Sequence, residues 1–177
     1  MSEDSKQKKA TPRWRRWVLE GSIFLVALIA FQLWQLRDAA RGPAPEVTAE
    51  RLDGSAFRLA DWRGEQGGKA TLLYFWAEWC PVCRTTAGNV TALGEDWPVT
   101  SVVSQSGDAA AIRKLMQERG YAWSSIPDAR GDIMKRFGLP GVPAFVVIAP
   151  DGEIRFLSLG YTSELGLRLR LWWASHT

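Results

Sequence analysis

Histidine, cysteine and methionine are nearly missing from this sequence. Its 177 residues hold one histidine, His176, two cysteines, Cys80 and Cys83, and three methionines, Met1, Met116 and Met134. One His and two Cys cannot supply the four ligands of a structural zinc site within a single chain. The penultimate position of His176 leaves no Cys–His protease pair in a ready geometry. Without a Met-rich or His-rich stretch there is no dedicated copper tract, so no metal site is expected. The two cysteines, separated by Pro81 and Val82, close too small a loop to staple distant parts of a fold. Excess charge is missing too. Residues 1–16 carry six basic groups (Lys6, Lys8, Lys9, Arg13, Arg15, Arg16) against Glu3 and Asp4, a balance of +4 within a chain total of +3. The other 161 residues therefore balance to −1, which excludes a basic face for nucleic acid.

What is present divides the chain unevenly. The run "WVLEGSIFLVALIAFQLWQL" (17–36) is twenty residues long and uncharged from Gly21 onward. Twenty helical residues rise about 30 Å, the thickness of a bilayer's hydrocarbon core. Trp14, Trp17 and Trp34 fall where an aromatic belt would lie, and the excess of basic residues before the run orients it with residues 1–16 in the cytoplasm. A cleaved signal peptide shares the basic start and apolar centre, but "RDAARGPAP" puts Asp38 where a small residue is needed for a cut after Ala40. The expected organisation is a basic cytoplasmic tail (1–16), an uncleaved transmembrane helix (17–36), a Pro-containing linker (37–46) and one domain (47–177) outside the membrane.

Within that domain strands and helices alternate. "AERLDGSAFRL" reads as a hairpin around Asp53-Gly54, "KATLLYFW" (69–76) as a buried strand, and Pro81 suits the first turn of a helix beginning at Cys80. A strand over 98–105, an amphipathic helix over 108–120 and a short helix near 133–137 follow. A hairpin of 143–149 with 154–159 comes next. A last helix, 163–175, is expected to bury Leu165, Leu169, Trp172 and Trp173, with the two tryptophans as core and rim. This order predicts a mixed sheet with helices on both faces. The Gly-rich "GEQGGKAT" lacks the spacing of a phosphate-binding loop and precedes its strand, so it reads as a plain loop.

The chemistry sits in "WAEWCPVCR" (76–84). A cysteine opening a helix meets unpaired N–H groups and the positive end of the helix dipole, both of which favour thiolate over thiol. Cys83 lies three positions along on the same face, close enough to attack a mixed disulfide. Cys80 is thus the expected nucleophile, Cys83 the resolving thiol, and Cys80–Cys83 a redox-active disulfide. The spacing alone also fits half of a metal clip, including a Cu(I) site. Glu78 is the nearest ionisable group and a candidate proton relay, and Trp79 stands beside the nucleophile.

"YFWAEWCPVCR" resembles the active-site segment of the thioredoxin superfamily, and "GVPAFVVIAPDGEI" (141–154) resembles that fold's cis-proline loop and following hairpin. The resemblance covers residues 45–175. With the apolar span, "SQSGD" and "GYTSELGLRLRLWW", it points to the membrane-anchored TlpA-like branch, and within it to the thioredoxin-like proteins of the bacterial suppressor-of-copper-sensitivity group. It implies a thioredoxin fold preceded by one transmembrane helix and a cis Val142–Pro143 bond. It also implies a substrate groove formed by Val142 and Pro143 with Trp79, Pro81 and Val82. Two positions depart from relatives. Tyr74 stands where thioredoxins carry a buried Asp, and Thr86 where cytochrome-maturation relatives often carry a Glu.

The expected function is a thiol–disulfide oxidoreductase without a cofactor, held in the bacterial inner membrane with its domain in the periplasm. Its expected partners are exported proteins with Cys pairs or mixed disulfides, and a transmembrane thiol reductase as electron donor. The resemblance adds a link to copper and redox stress. With Val82 in the dipeptide and no imidazole beside Cys80, the pair is expected to be weakly oxidising, which favours reduction of substrates. A disulfide-donating oxidase and a Cu(I)-binding protein are the alternatives.

Overall fold

A computed structural model of the chain describes residues 13–35 and 39–177. Residues 1–12 of the expected tail, Leu36 at the end of the expected span, and Arg37 and Asp38 of the expected linker lie outside the described residues. Two units are distinguished, residues 1–37 and 38–177.

The first unit contains helix α1 (Arg13–Gln35). Its described large apolar side chains, among them Trp14, Trp17, Phe24 and Ile29, are exposed. Charges at Arg15 and Glu20 confine its uncharged part to 21–35, a rise of about 22 Å. Among the described residues no helix is long and apolar enough to cross a membrane.

The second unit is built on a six-stranded sheet. In chain order its elements are β1 (Gly42–Pro43), β2 (Thr48–Glu50), β3 (Ala56–Arg58), α2 (Leu59–Gly64), β4 (Thr71–Trp76), α3 (Pro81–Gly94) and β5 (Val99–Ser104). There follow α4 (Ala109–Glu118), β6 (Ser124–Asp128), α5 (Asp132–Arg136), β7 (Ala144–Ile148), β8 (Glu153–Leu159) and α6 (Glu164–Ala174). The sheet runs β1-β8-β7-β4-β5-β6, and β2 and β3 form a separate hairpin. β4, β5 and β6 are parallel, the crossovers running through α3 and α4, while β7 pairs antiparallel with β4 and β8 antiparallel with β7. All six residues of β4 are buried because both faces of the strand are covered. Leu72, Tyr74 and Trp76 pack with Val90 and Leu93 of α3, Ile112 of α4 and Leu167 and Leu171 of α6. Leu73 and Phe75 pack on the other face with Val47, Phe57, Phe137 and Val146.

Three elements were not expected from the sequence. β1 lies inside the expected linker and pairs Gly42 and Pro43 with Ile154 and Glu153. α2 follows the hairpin directly. β6, "SSIPD", lacks apolar alternation and carries Pro127, which a strand at the sheet's edge tolerates.

The expected face of the last helix is corrected. Leu167, Leu171 and Ala174 are buried, whereas Leu165, Leu169, Trp172 and Trp173 are 55–67% exposed, so the tryptophans are not core. α6 is apolar on two opposite sides, and periodicity alone cannot choose between them. Polar ties to α3 do. Arg168 donates to the Ala92 carbonyl of α3 and to Asp96 just beyond its end, and Asn89 of α3 donates to the Thr162 carbonyl.

Candidate active site

β4 ends at Trp76, and the short turn 77–79 carries the chain into α3 at the carboxyl end of the central strand. The turn is held from the next loop. The backbone N–H of Glu78 donates to Ser106 Oγ (2.9 Å), which donates to the Ser104 carbonyl (2.9 Å), and the Trp79 indole donates to the Gln105 carbonyl (3.1 Å). Gln105 is the one non-glycine residue at positive φ among the described residues (49°), a conformation that costs energy away from glycine.

Cys80 is the N-cap of α3, in extended conformation, with Pro81 opening the helix. Its sulfur accepts the backbone N–H of Cys83 at 3.1 Å. Cys80 and Cys83 are joined as a disulfide, with Cα atoms 5.3 Å apart. Cys80 Sγ also lies 3.7 Å from the Val142 carbonyl oxygen. The Val142–Pro143 bond is cis, and the Pro143 carbonyl accepts the N–H of Gly160 at 2.8 Å, tying this loop to the end of β8. Both cysteines are at most 3% exposed, while Trp79 (61%) and Val82 (42%) stand out around them. Pro81 is exposed and Val142 half-buried. Of the expected groove residues, Val142 is brought to the Cys80 sulfur through its carbonyl, and Pro143 follows it across the cis bond. The Glu78 side chain is exposed. Its backbone is tied to Ser106, and no contact is described between its carboxylate and either sulfur.

The two departures noted in the sequence meet under Cys83. Tyr74 and Thr86, both wholly buried, have hydroxyl oxygens 3.0 Å apart. Each hydroxyl donates to the Cys83 carbonyl, Tyr74 at 3.2 Å and Thr86 at 3.0 Å. Burial pushes the Tyr74 phenol above its ordinary value. The sequence flagged these positions singly. Their contact, and the supports from Ser106 and Gln105, carry no signature in the sequence beyond the "SQSGD" motif. Among the described residues no group of three or more His, Cys, Asp or Glu is placed to hold a metal ion.

A vicinal cysteine pair that closes a disulfide while one of its sulfurs caps a helix is suited to trading electrons with other disulfides. The protein is a thiol:disulfide oxidoreductase of thioredoxin fold. The model of the AhpC/TSA family matches residues 40–157, and the chain belongs to that family. It is 30% identical over 159 residues to a thioredoxin-like protein of Haemophilus influenzae, covering 86% of this chain and 91% of that one. It is also 30% identical over 151 residues to the thiol:disulfide interchange protein DsbE of Pseudomonas aeruginosa, covering 81% and 83%. Among solved structures it is similar to a secreted Mycobacterium tuberculosis disulfide oxidoreductase homologous to DsbE, with a TM-score of 0.59 at 25% identity over 71% of this chain and 93% of that one.

Proposed function

We propose that this chain is a membrane-tethered reductase that acts on disulfides of exported proteins on the periplasmic side of the bacterial inner membrane. The observation that carries the reading is the double engagement of one sulfur: Cys80 Sγ caps α3 and faces the Val142 carbonyl. The cap N–H groups and the helix dipole favour the Cys80 thiolate once the disulfide is reduced. That thiolate is the nucleophile and Cys83 the resolving thiol. An extended substrate segment lies along the Val142–Pro143 loop, pairs with the backbone at Val142, and meets Trp79, Pro81 and Val82. The oxidised pair is recharged by a transmembrane thiol reductase. The uncharged run within residues 17–36, flanked by arginines and tryptophans, supports the anchor. The apolar span, the dipeptide between Cys80 and Cys83, "SQSGD" and "GYTSELGLRLRLWW" support membership of the TlpA-like branch and a link to copper stress. Absence of an imidazole beside Cys80 supports the reducing direction.

The test is the state of Cys80 and Cys83 in living bacterial cells, read by acid quenching and alkylation with a mass-shifting thiol reagent. A pool held mainly as dithiol in an oxidising compartment is the expected result, since only a continuous electron supply maintains it. A pool held mainly as disulfide overturns the reducing direction in favour of disulfide donation.

A further inference from the structure

The hydroxyl pair beneath the cysteines has no part in the exchange chemistry itself, yet it bonds to one cysteine and not the other. Tyr74 leaves the middle of β4 and Thr86 the second turn of α3, and both donate to the carbonyl of Cys83. That carbonyl lies in the first turn of α3, and the backbone N–H of the same residue is held by the Cys80 sulfur. The Tyr74 ring is itself fixed. It stacks on Phe145 of β7 with centroids 5.1 Å apart and meets the edge of Trp123 at 5.6 Å. Tyr74 and Phe145 are also register partners across β4 and β7, and Phe145 is two residues beyond Pro143. One ring therefore connects the strand that carries the Val142 loop to the turn that carries the second sulfur.

We propose that Tyr74 and Thr86 are positioning residues for the resolving thiol: their hydroxyls hold the Cys83 turn so that its sulfur faces the Cys80 sulfur when a mixed disulfide has formed. The inference rests on the assignment of Cys80 as nucleophile and Cys83 as resolver. In the first step the Cys80 thiolate adds to one sulfur of the incoming disulfide, whose S–S bond breaks, and the other substrate sulfur leaves as a thiolate. In the second step Cys83 gives its proton to solvent and adds to Cys80 Sγ. The mixed S–S bond breaks and the remaining substrate sulfur leaves with the electron pair. The substrate gains two electrons and, from solvent, two protons; the chain is left as the Cys80–Cys83 disulfide. Only the second step depends on the aim of Cys83, and small errors in such an aim are costly in rate. The hydroxyls orient without exchanging a proton. Neither titrates near neutral pH, and burial moves the phenol further from that range.

The experiment is quenched-flow exchange between the reduced full-length chain in mild detergent and oxidised glutathione, following the Cys80–glutathione adduct by mass. Loss of one hydrogen bond to a buried carbonyl is expected to slow the second step roughly tenfold. In Tyr74→Phe and Thr86→Val the adduct should accumulate while its rate of formation stays within about twofold of wild type, and Thr86→Ser should restore resolution. A resolution rate unchanged in both variants overturns the proposal. So does an equal fall in both steps, which is what mere loosening of the helix start would give. Two controls separate this from failure of the underlying assignment. Cys83→Ser should trap the adduct, and Cys80→Ser should form none. An adduct that appears on Cys83 in Cys80→Ser at the wild-type rate defeats the assignment, whatever the Tyr74 variants do.

Discussion

Helices α3 and α4 begin in nearly the same way and end up doing different things. Each is preceded by an extended residue whose side chain accepts a backbone N–H from the first turn. Cys80 Sγ accepts from Cys83 at 3.1 Å, and Asp108 Oδ1 accepts from Ala111 at 2.8 Å. Both satisfy a donor that a helix start leaves unpaired. Beyond the cap the two differ. Asp108 is exposed, whereas the Cys80 sulfur is closed in by the Val142 carbonyl in front and the hydroxyl-held Cys83 turn behind. The local structure is the same at both ends. What distinguishes the Cys80 cap from the Asp108 cap is sulfur in place of oxygen and a neighbour from a distant part of the chain.

The largest effect expected of any change to this pairing comes from removing the sulfur. Cys80→Ser should lower disulfide exchange with glutathione by at least roughly a thousandfold. Cys80→Asp sharpens the point by giving α3 the cap of α4. It should lose exchange just as fully while its thermal midpoint stays near that of the Cys80→Ser variant. Activity left in Cys80→Asp would mean that the cap, and not the sulfur, carries the function. A second difference is the buried phenol that lies under α3. The Tyr74 phenol is raised by burial, so the folded state holds that proton more tightly than the unfolded state. Its contribution is complete below about pH 10, where an unfolded tyrosine titrates, and is lost as pH rises beyond that. Thermal midpoints should therefore fall above about pH 10, and fall less steeply in Tyr74→Phe. Equal slopes would remove the phenol from the account. At α4, Asp108→Ala should cost about 1 kcal/mol of stability in denaturant unfolding and leave exchange untouched. A change in exchange there would break the contrast between the two helix starts. The smallest effect is expected at Glu78, whose exposed carboxylate contacts neither sulfur. Glu78→Gln should keep exchange rates within about twofold, and a tenfold fall with an altered pH profile would put Glu78 in the proton path.

Much of the fold was legible. The buried run Thr71–Trp76, Pro81 at a helix start, the amphipathic pattern of α4 and the β7–β8 hairpin all follow from local spacing, because each element is consistent with its own residues. β6 was not legible, since "SSIPD" is a strand only because β5 offers it an edge. Nor was the buried face of α6, where two apolar stripes compete and Arg168 and Asn89 decide between them through α3. At the site the cysteines were plain, and Pro143 was suggested by its motif. The support from Ser106 and the meeting of Tyr74 with Thr86 were hidden, because residues 12 and 28 positions apart come together only through the packing of α3 on β4 and of neighbouring loops.

By itself the sequence determined the chemistry available to this protein: one cysteine pair at a helix start, no imidazole beside it, and too few ligands for a four-coordinate zinc site. These follow from residue type and near spacing, which no folding can alter. The tertiary structure decided how that chemistry is presented. The Val142 carbonyl comes to 3.7 Å from one sulfur, and the Tyr74 and Thr86 hydroxyls come to the turn that carries the other. The physical reason is distance along the chain. Val142 is 62 residues from Cys80, and only the packing of β7 against β4 beneath α3 brings the two together.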